Sequence, residues 1–156
     1  PLARRAWAFQ ERFLAPRTIH FTADRILCEC EEQVVCELWP EGIPEELYPS
    51  KSRFPKGACS TEWSRALQIY SRAHLTYSKD KLVAISGVAR HFQKQNHDQY
   101  IAGLWRKNFV RQMCWAVDMK IDEEIKPCVD AKTNLYQGPS WSWASADRPI
   151  TWEVYA

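Results

Sequence analysis

Glycine is scarce in this sequence, with five residues among 156. Loops that cradle phosphate groups depend on closely spaced glycines, so this scarcity argues against a nucleotide-binding phosphate loop. The motifs G-x-G-x-x-G, G-x-x-x-x-G-K-[ST], H-E-x-x-H and G-x-S-x-G are missing too, as is an EF-hand loop. We therefore expect no cofactor, and we favour the absence of enzymatic activity for this chain alone.

Long apolar runs are also missing. No stretch approaches the roughly 18 apolar residues of a membrane span, and the opening residues lack the apolar region of a signal peptide. Hydrophobic residues make up 46% and charged residues 26%, which is typical of a folded globular domain. We expect a soluble, cytoplasmic protein without a membrane partner. Because the sequence opens without Met on a helix-like pattern, we also expect a fragment of a larger protein.

Charge is distributed unevenly along the chain. Residues 26–50 hold seven Glu and no Lys or Arg, whereas residues 51–120 hold thirteen basic and four acidic residues. Clustered cations are typical of nucleic-acid surfaces, because they release counterions from phosphate. Here the cations are spread thinly over predicted helices, and no nucleic-acid-binding motif accompanies them. We therefore expect no nucleic-acid partner.

The six cysteines do not form a metal-binding motif. Cys28, Cys30 and Cys36 have the spacing C-x-C-x5-C, with His20 eight residues upstream. Zinc sites use paired C-x2-4-C knuckles, and no second knuckle follows. Because Cys28 and Cys30 alternate with Leu27 and Glu29, they fit one face of a strand as small buried hydrophobes. We expect free thiols and no metal.

Periodicity predicts an α+β fold that is helix-rich, with one or two β-hairpins. We predict helices over residues 2–14, 60–73, 79–95, 99–105 and 109–117; a hairpin of residues 18–22 and 26–30; a third strand within 33–39; and a closing Trp-rich hairpin of residues 139–144 and 150–155. Loops are expected over 40–60 and 119–138. The predicted units are 1–39 (helix plus hairpin), 40–60 (loop or insertion) and 61–156 (helical region with the closing hairpin).

Aromatic residues are abundant, with eight Trp, six Tyr and six Phe. Large rings dominate the energetics of both cores and interfaces. Two interpretations stay open: the tryptophans anchor a core that is poor in Val and Ile, or some of them form an exposed partner surface.

The most specific local pattern lies in the first predicted helix. Trp7, Gln10, Glu11 and Leu14 follow helical spacing, so an indole, an amide and a carboxylate share one face. A carboxylate beside an indole is partly desolvated, which would suit Glu11 to acid–base work. The preferred alternative is a structural ion pair between Glu11 and Arg4. The catalytic residues are therefore unknown, with Glu11 as the candidate.

This region resembles the last motif of the fungal heterokaryon incompatibility (HET) domain, which has the form R-x-W-x-x-Q-E followed by a hairpin that ends in a W-E-C-like element. Arg5, Trp7, Gln10 and Glu11 match the first part. In the second part Glu29 and Cys30 match, and Cys28 replaces the Trp of the pattern. The earlier family motif around W-I-D-x-x-C-I-N-Q is absent.

Three later segments are similar to stretches that commonly follow HET domains. They are LTYSKDKLVAISGVARHF, YIAGLWRKNFVRQMCWAV and PSWSWAS. The last two contain the tryptophans of a downstream motif: Trp105, Trp115, Trp141 and Trp143. The chain thus resembles the C-terminal end of a HET domain together with its downstream region.

The resemblance implies a role in vegetative incompatibility, the self/non-self recognition that triggers programmed cell death in fungi. We expect a non-catalytic interaction or regulatory segment, whose partners are the upstream part of the same polypeptide or another incompatibility protein. HET domains have been likened to TIR-type folds, some of which cleave NAD with a glutamate. One alternative is therefore a part of a TIR-like NAD-cleaving enzyme in which upstream residues complete a pocket around Glu11. A plain scaffold domain is another alternative.

Overall fold

The computed structural model describes residues 5–48, 60–119 and 137–152, and it confirms an α+β fold. The helices are α1 (Ala6–Leu14), α2 (Ser60–Ser71), α3 (Lys81–Ala84), α4 (Ser86–Asn96) and α5 (Phe109–Met113). The strands are β1 (Arg17–Phe21), β2 (Ile26–Cys30), β3 (Val34–Cys36), β4 (Tyr100–Ile101), β5 (Leu104–Trp105), β6 (Ala116–Val117) and β7 (Ile150–Thr151). None of the described helices combines the length and the apolar character that a membrane crossing requires.

The predicted hairpin and third strand are confirmed as an antiparallel sheet in the order β1-β2-β3. Thr18 lies opposite Glu29, and Glu29 lies opposite Val34. Because side chains alternate between the two faces of a strand, these three residues share one face of the sheet. This face holds the buried residues of the sheet, and the opposite face carries its most exposed apolar side chains.

Helix α1 buries one stripe of side chains, formed by Ala6, Phe9 and Phe13. The stripe packs into the main core, where aromatic rings from α1, α2, α4 and β5 meet. The centroid of the Trp63 ring lies 5.0 Å from that of the Phe92 ring and 5.4 Å from that of the Trp105 ring, and both pairs have edge-to-face geometry. The interpretation of the tryptophans as core anchors therefore holds for Trp63, Trp105 and Trp143, which are all buried. Trp7 and Trp141 are exposed instead.

The single helix predicted over residues 79–95 is divided into two. A short 3-10 turn at Ser78–Asp80 leads into α3, which ends at Ala84, and α4 begins at Ser86. Between them, the buried Ile85 has ψ −2°, away from the ordinary helical value. The apolar spacing continues through the break, so periodicity does not reveal it.

The short helix predicted over residues 99–105 is wrong, because this segment forms the hairpin of β4 and β5. Its two turn residues, Ala102 and Gly103, have φ of 43° and 98°. Two successive positive φ values are typical of the tight turns that join antiparallel strands. Glycine adopts such values freely, whereas alanine does so only under tertiary constraint.

The predicted closing hairpin is also wrong within the described residues. Ile150 and Thr151 pair with Val117 and Ala116 rather than with residues 139–144. That pairing also explains why α5 ends at Met113, short of the predicted residue 117. The Trp-rich segment instead forms a 3-10 turn at Trp143–Ser145. Residues 49–59 and 120–136, which cover most of the two predicted loops, lie outside the described part.

Candidate functional site

The HET-like residues on α1 divide into a docked side and an exposed side. Gln10 is docked: its side-chain carbonyl oxygen accepts a hydrogen bond of 2.8 Å from the backbone N–H of Gly87. Gly87 lies in the first turn of α4, where backbone N–H groups have no partner within the helix. The N-cap residue Ile85 forms no side-chain cap, so α1 supplies a cap to α4 from 77 residues away. A Cβ at position 87 would lie 2.6 Å from the Gln10 oxygen, so any larger residue there would displace the Gln10 side chain.

The exposed side of α1 presents Trp7, Glu11 and Leu14. Trp7 and Leu14 are each 43% exposed, and Glu11 is exposed as well. The face predicted for Trp7, Gln10, Glu11 and Leu14 is therefore divided, because Gln10 docks against α4 while the other three side chains face solvent. The expected burial of Glu11 by the indole does not occur. Arg5 is also exposed, and its backbone forms a bridge with His74 at the start of the helix. Arg4, the predicted partner of Glu11, lies outside the described residues.

Glu29 joins α1 to the sheet. Its side chain is 4% exposed, and one carboxylate oxygen, Oε2, lies 3.0 Å from Nε and 2.7 Å from Nη2 of Arg12. Nε2 of His20 lies 2.9 Å from the same oxygen. Three elements therefore meet at this atom, because Arg12 belongs to α1, His20 to β1 and Glu29 to β2.

Two opposing effects set the pKa of Glu29. Burial raises the pKa, whereas the hydrogen bonds from His20 and Arg12 and their positive charge lower it, and the lowering prevails. The carboxylate is consequently held in its ionised form at neutral pH. An ionised carboxylate of this kind orients an arginine and an imidazole, so the cluster provides a rigid joint between helix and sheet.

Sequence reasoning included Glu29 in the site but missed Arg12, and it did not identify His20 as a partner of Glu29. Register offers a partial signal, because a hairpin of residues 18–22 and 26–30 places His20 and Glu29 on one face. Nothing in the spacing indicates Arg12, whose contact depends on how α1 lies against the sheet.

The cysteine cluster does not form a metal centre. Cys28 and Cys30 share the outer face of β2, as predicted, but both are half-buried rather than buried. Cys36 is buried on the other face, away from them. In the described segments, no group of three or more His, Cys, Asp or Glu side chains is arranged to hold a metal ion.

The tryptophans of the downstream motif gather around the β4–β5 turn and α5. Trp105 is buried in β5, and the Trp143 indole N–H donates to the carbonyl oxygen of Gly103 at 2.9 Å. The Trp115 indole N–H donates to the backbone carbonyl of Trp141 at 2.9 Å. The Trp141 ring in turn lies 5.3 Å from Phe109, edge to face. The structure thus brings all four tryptophans of the motif into one region.

The turn of β4 and β5 is fixed by three donors. The Ser142 hydroxyl donates to the carbonyl of Ala102, and the Trp63 and Trp143 indoles both donate to the carbonyl of Gly103. A Cβ on Gly103 would lie 2.4 Å from Nε1 of Trp143. Ser142 and Trp143 therefore hold the turn through these hydrogen bonds, which explains why residues 139–144 do not form the predicted strand.

Comparison with protein-family models, with curated proteins and with solved structures gives no match for this chain.

Proposed function

We propose that this chain is part of a HET-like protein of fungal vegetative incompatibility and that it acts there as a non-catalytic interaction or regulatory segment in the cytoplasm. Its partners are the upstream part of the same polypeptide or another incompatibility protein. The proposal rests on one observation: five of the six motif residues divide into a set that fixes α1 and a set that α1 presents to solvent. The sixth, Cys30, lies half-buried on the outer face of β2 and belongs to neither set.

The fixing set consists of Gln10 and Glu29. Gln10 caps α4, and Glu29 holds Arg12 of α1 against the hairpin. Both contacts are short, and each joins elements that are distant in sequence. These two residues therefore set the position of α1 relative to its neighbours.

The presented set consists of Arg5, Trp7 and Glu11. An indole that is 43% exposed, with an exposed arginine and an exposed carboxylate on the same helix end, is typical of a protein-binding surface, where Trp and Arg are enriched. The same exposure does not favour a catalytic pocket, because none of these groups is desolvated. This contrast supports interaction rather than catalysis by this chain.

Conditional expression in a filamentous fungus tests the proposal. We would express the chain alone, the chain extended upstream to its natural start, and the extended form with Trp7→Ala, and score cell viability. We expect death with the extended form only, and its loss with Trp7→Ala. Val83→Ala is the matched control, because Val83 is 55% exposed on α3 and is not one of the motif residues, and it should leave the response intact.

Two results would contradict the proposal. Death caused by the chain alone would place the effector within these residues, and an undiminished response with Trp7→Ala would remove the exposed motif surface from the mechanism. Equal amounts of each protein in the cells must be verified by immunoblotting.

A further inference from the structure

The outer face of the β1-β2-β3 sheet carries apolar side chains that the described residues leave exposed. Ile19 is 58%, Phe21 79% and Ile26 45% exposed. Phe21 lies directly opposite Ile26, and Ile19 lies two residues before Phe21 on the same face. A contiguous exposed apolar surface on a sheet is typical of an interaction site.

This surface lies within an acidic part of the chain. Residues 17–48 contain eight acidic and two basic side chains. Seven of the acidic side chains are exposed: Asp24, Glu31, Glu32, Glu37, Glu41, Glu45 and Glu46. Glu37 lies at the edge of the apolar surface, because its carboxylate accepts the backbone N–H of Ile26 at 2.9 Å. We call Ile19, Phe21, Ile26 and Glu37 the sheet patch.

A second exposed surface has the opposite charge. Around α5, Arg106, Lys107 and Arg111 are exposed next to Val110, which is itself 74% exposed. Residues 60–119 contain nine basic and four acidic side chains, and three of these nine basic side chains lie on or next to α5. We call these four residues the helix patch.

We propose that the sheet patch of one copy of this chain binds the helix patch of a second copy. Each patch has an apolar centre, and the charges around the two centres are of opposite sign, so apolar burial and electrostatic attraction act together. Both patches are exposed within one copy, so neither covers the other. The inference goes beyond the HET-like function and does not depend on it.

Contact between two different patches is heterologous, so a dimer still offers one open sheet patch on one copy and one open helix patch on the other. Such contacts form rings where the rotation closes and open chains where it does not. A pairing of two sheet patches is disfavoured, because it would bring two acidic surfaces together.

Sedimentation velocity on the purified chain tests the proposal over about a hundredfold range of concentration, at low and at high salt. We expect the mean sedimentation coefficient to rise with concentration and to fall with added salt, because exposed charge pairs are screened. Phe21→Lys disables the sheet patch, and the double variant Val110→Ser with Arg111→Ser disables the helix patch. Each should weaken self-association about tenfold or more.

A mixture of the two variants tests whether the sheet patch of one copy binds the helix patch of the other. The first retains an intact helix patch and the second an intact sheet patch, so together they should form a one-to-one dimer that does not grow. Val83→Ser is the matched control and should associate like the unmodified chain. Because the substituted side chains are exposed, unchanged circular dichroism is expected for every variant.

The proposal is overturned if the unmodified chain stays monomeric, if either variant associates like the unmodified chain, or if the mixture fails to form the dimer. None of these outcomes bears on the viability experiment, since that experiment probes the exposed face of α1. The failure of one proposal is thereby distinguished from the failure of the other.

Discussion

Trp63 and Trp143 donate their indole N–H groups to the same acceptor, the carbonyl oxygen of Gly103, at 3.1 and 2.9 Å. The two indoles come from α2 and from the segment that precedes β7, and both side chains are fully buried. A buried carbonyl has two lone pairs, so it satisfies both donors at once. Gly103 therefore joins the first half of the core to the last described segment.

Gly103→Ala should lower the free energy of unfolding by about 2–4 kcal/mol, because the new Cβ combines an unfavourable positive φ with steric overlap. The φ is 98°, and the Cβ would lie 2.4 Å from Nε1 of the fully buried Trp143. Urea denaturation followed by tryptophan fluorescence measures the change. Gly42→Ala is the matched control, with φ 126° but its nearest contact at 3.5 Å. If Gly103→Ala lowers the free energy of unfolding no more than Gly42→Ala does, the steric explanation is wrong.

Gln10→Ala should destabilise the protein by about 1 kcal/mol, because the N–H of Gly87 loses its acceptor at the start of α4. Gln10→Glu retains an acceptor and adds a negative charge at a helix N-terminus, so its cost should be smaller. Denaturant titration of both variants tests this order. Gln93→Ala, on the exposed surface of α4, should change stability by no more than about 0.5 kcal/mol. An equal loss for both Gln10 variants would be inconsistent with a capping role.

Glu29→Gln should destabilise the protein by about 1–3 kcal/mol, because it removes the charge that Arg12 and His20 share. The Arg12 side chain is 32% exposed, so solvent screens part of the loss and the lower half of the range is expected. Thermal and urea denaturation measure the effect. Glu31→Gln, which changes an exposed carboxylate in the next turn, should be nearly neutral. Equal stability of the two variants would show that the joint contributes nothing.

The pH dependence of stability should carry the signature of Glu29. Its pKa is lower in the folded protein than the ordinary value of 4.5, so the unfolded chain binds more protons as the solution becomes acidic. The stabilisation is therefore complete well above pH 4.5 and is lost as the pH falls through the folded-state pKa. Urea denaturation at pH 7 and pH 3 should show a smaller acid-induced loss for Glu29→Gln than for the unmodified protein. Identical losses would contradict the assignment.

Glu11→Gln tests the enzymatic alternative in the full-length protein. Because Glu11 is exposed and the proposed role of this chain is non-catalytic, any NAD consumption should be unchanged by the substitution. A coupled assay of nicotinamide release measures it, with Glu62→Gln on α2 as the control. A selective loss of activity at Glu11 would favour the nucleotide-cleaving interpretation instead.

Prediction from sequence succeeds here where the deciding contacts are local. The β1–β2 hairpin follows from alternating residues around the short turn at Ala23 and Asp24, and both cues lie within a few residues. The β4–β5 hairpin was predicted as a helix because its turn needs a positive φ at Ala102, which the residue type disfavours. Three donors from distant segments hold that turn, and these long-range hydrogen bonds leave no signal in the local sequence pattern.

In the candidate site, too, local features were predicted correctly and long-range contacts were not. The helical spacing of Trp7, Gln10 and Glu11 follows from the sequence, but which of them is docked depends on α4. The break at Ile85 that gives α4 its separate start is hidden, because the apolar residues keep their helical spacing through it. Arg12 was missed for a similar reason, since its partner Glu29 lies 17 residues away across a helix–sheet contact.

The cap that Gln10 provides has a consequence for synthesis of the chain. Gly87 is made 77 residues after Gln10, and at the ribosome's usual pace of about 5–20 residues per second this interval lasts roughly 4–15 s. During that time the nascent α1 has its apolar stripe of Ala6, Phe9 and Phe13 without α4, whose Phe92 ring packs against Phe13. Helix α1 therefore lacks this packing partner until α4 has been made, and nascent-chain protection is needed most between the emergence of α1 and that of α4.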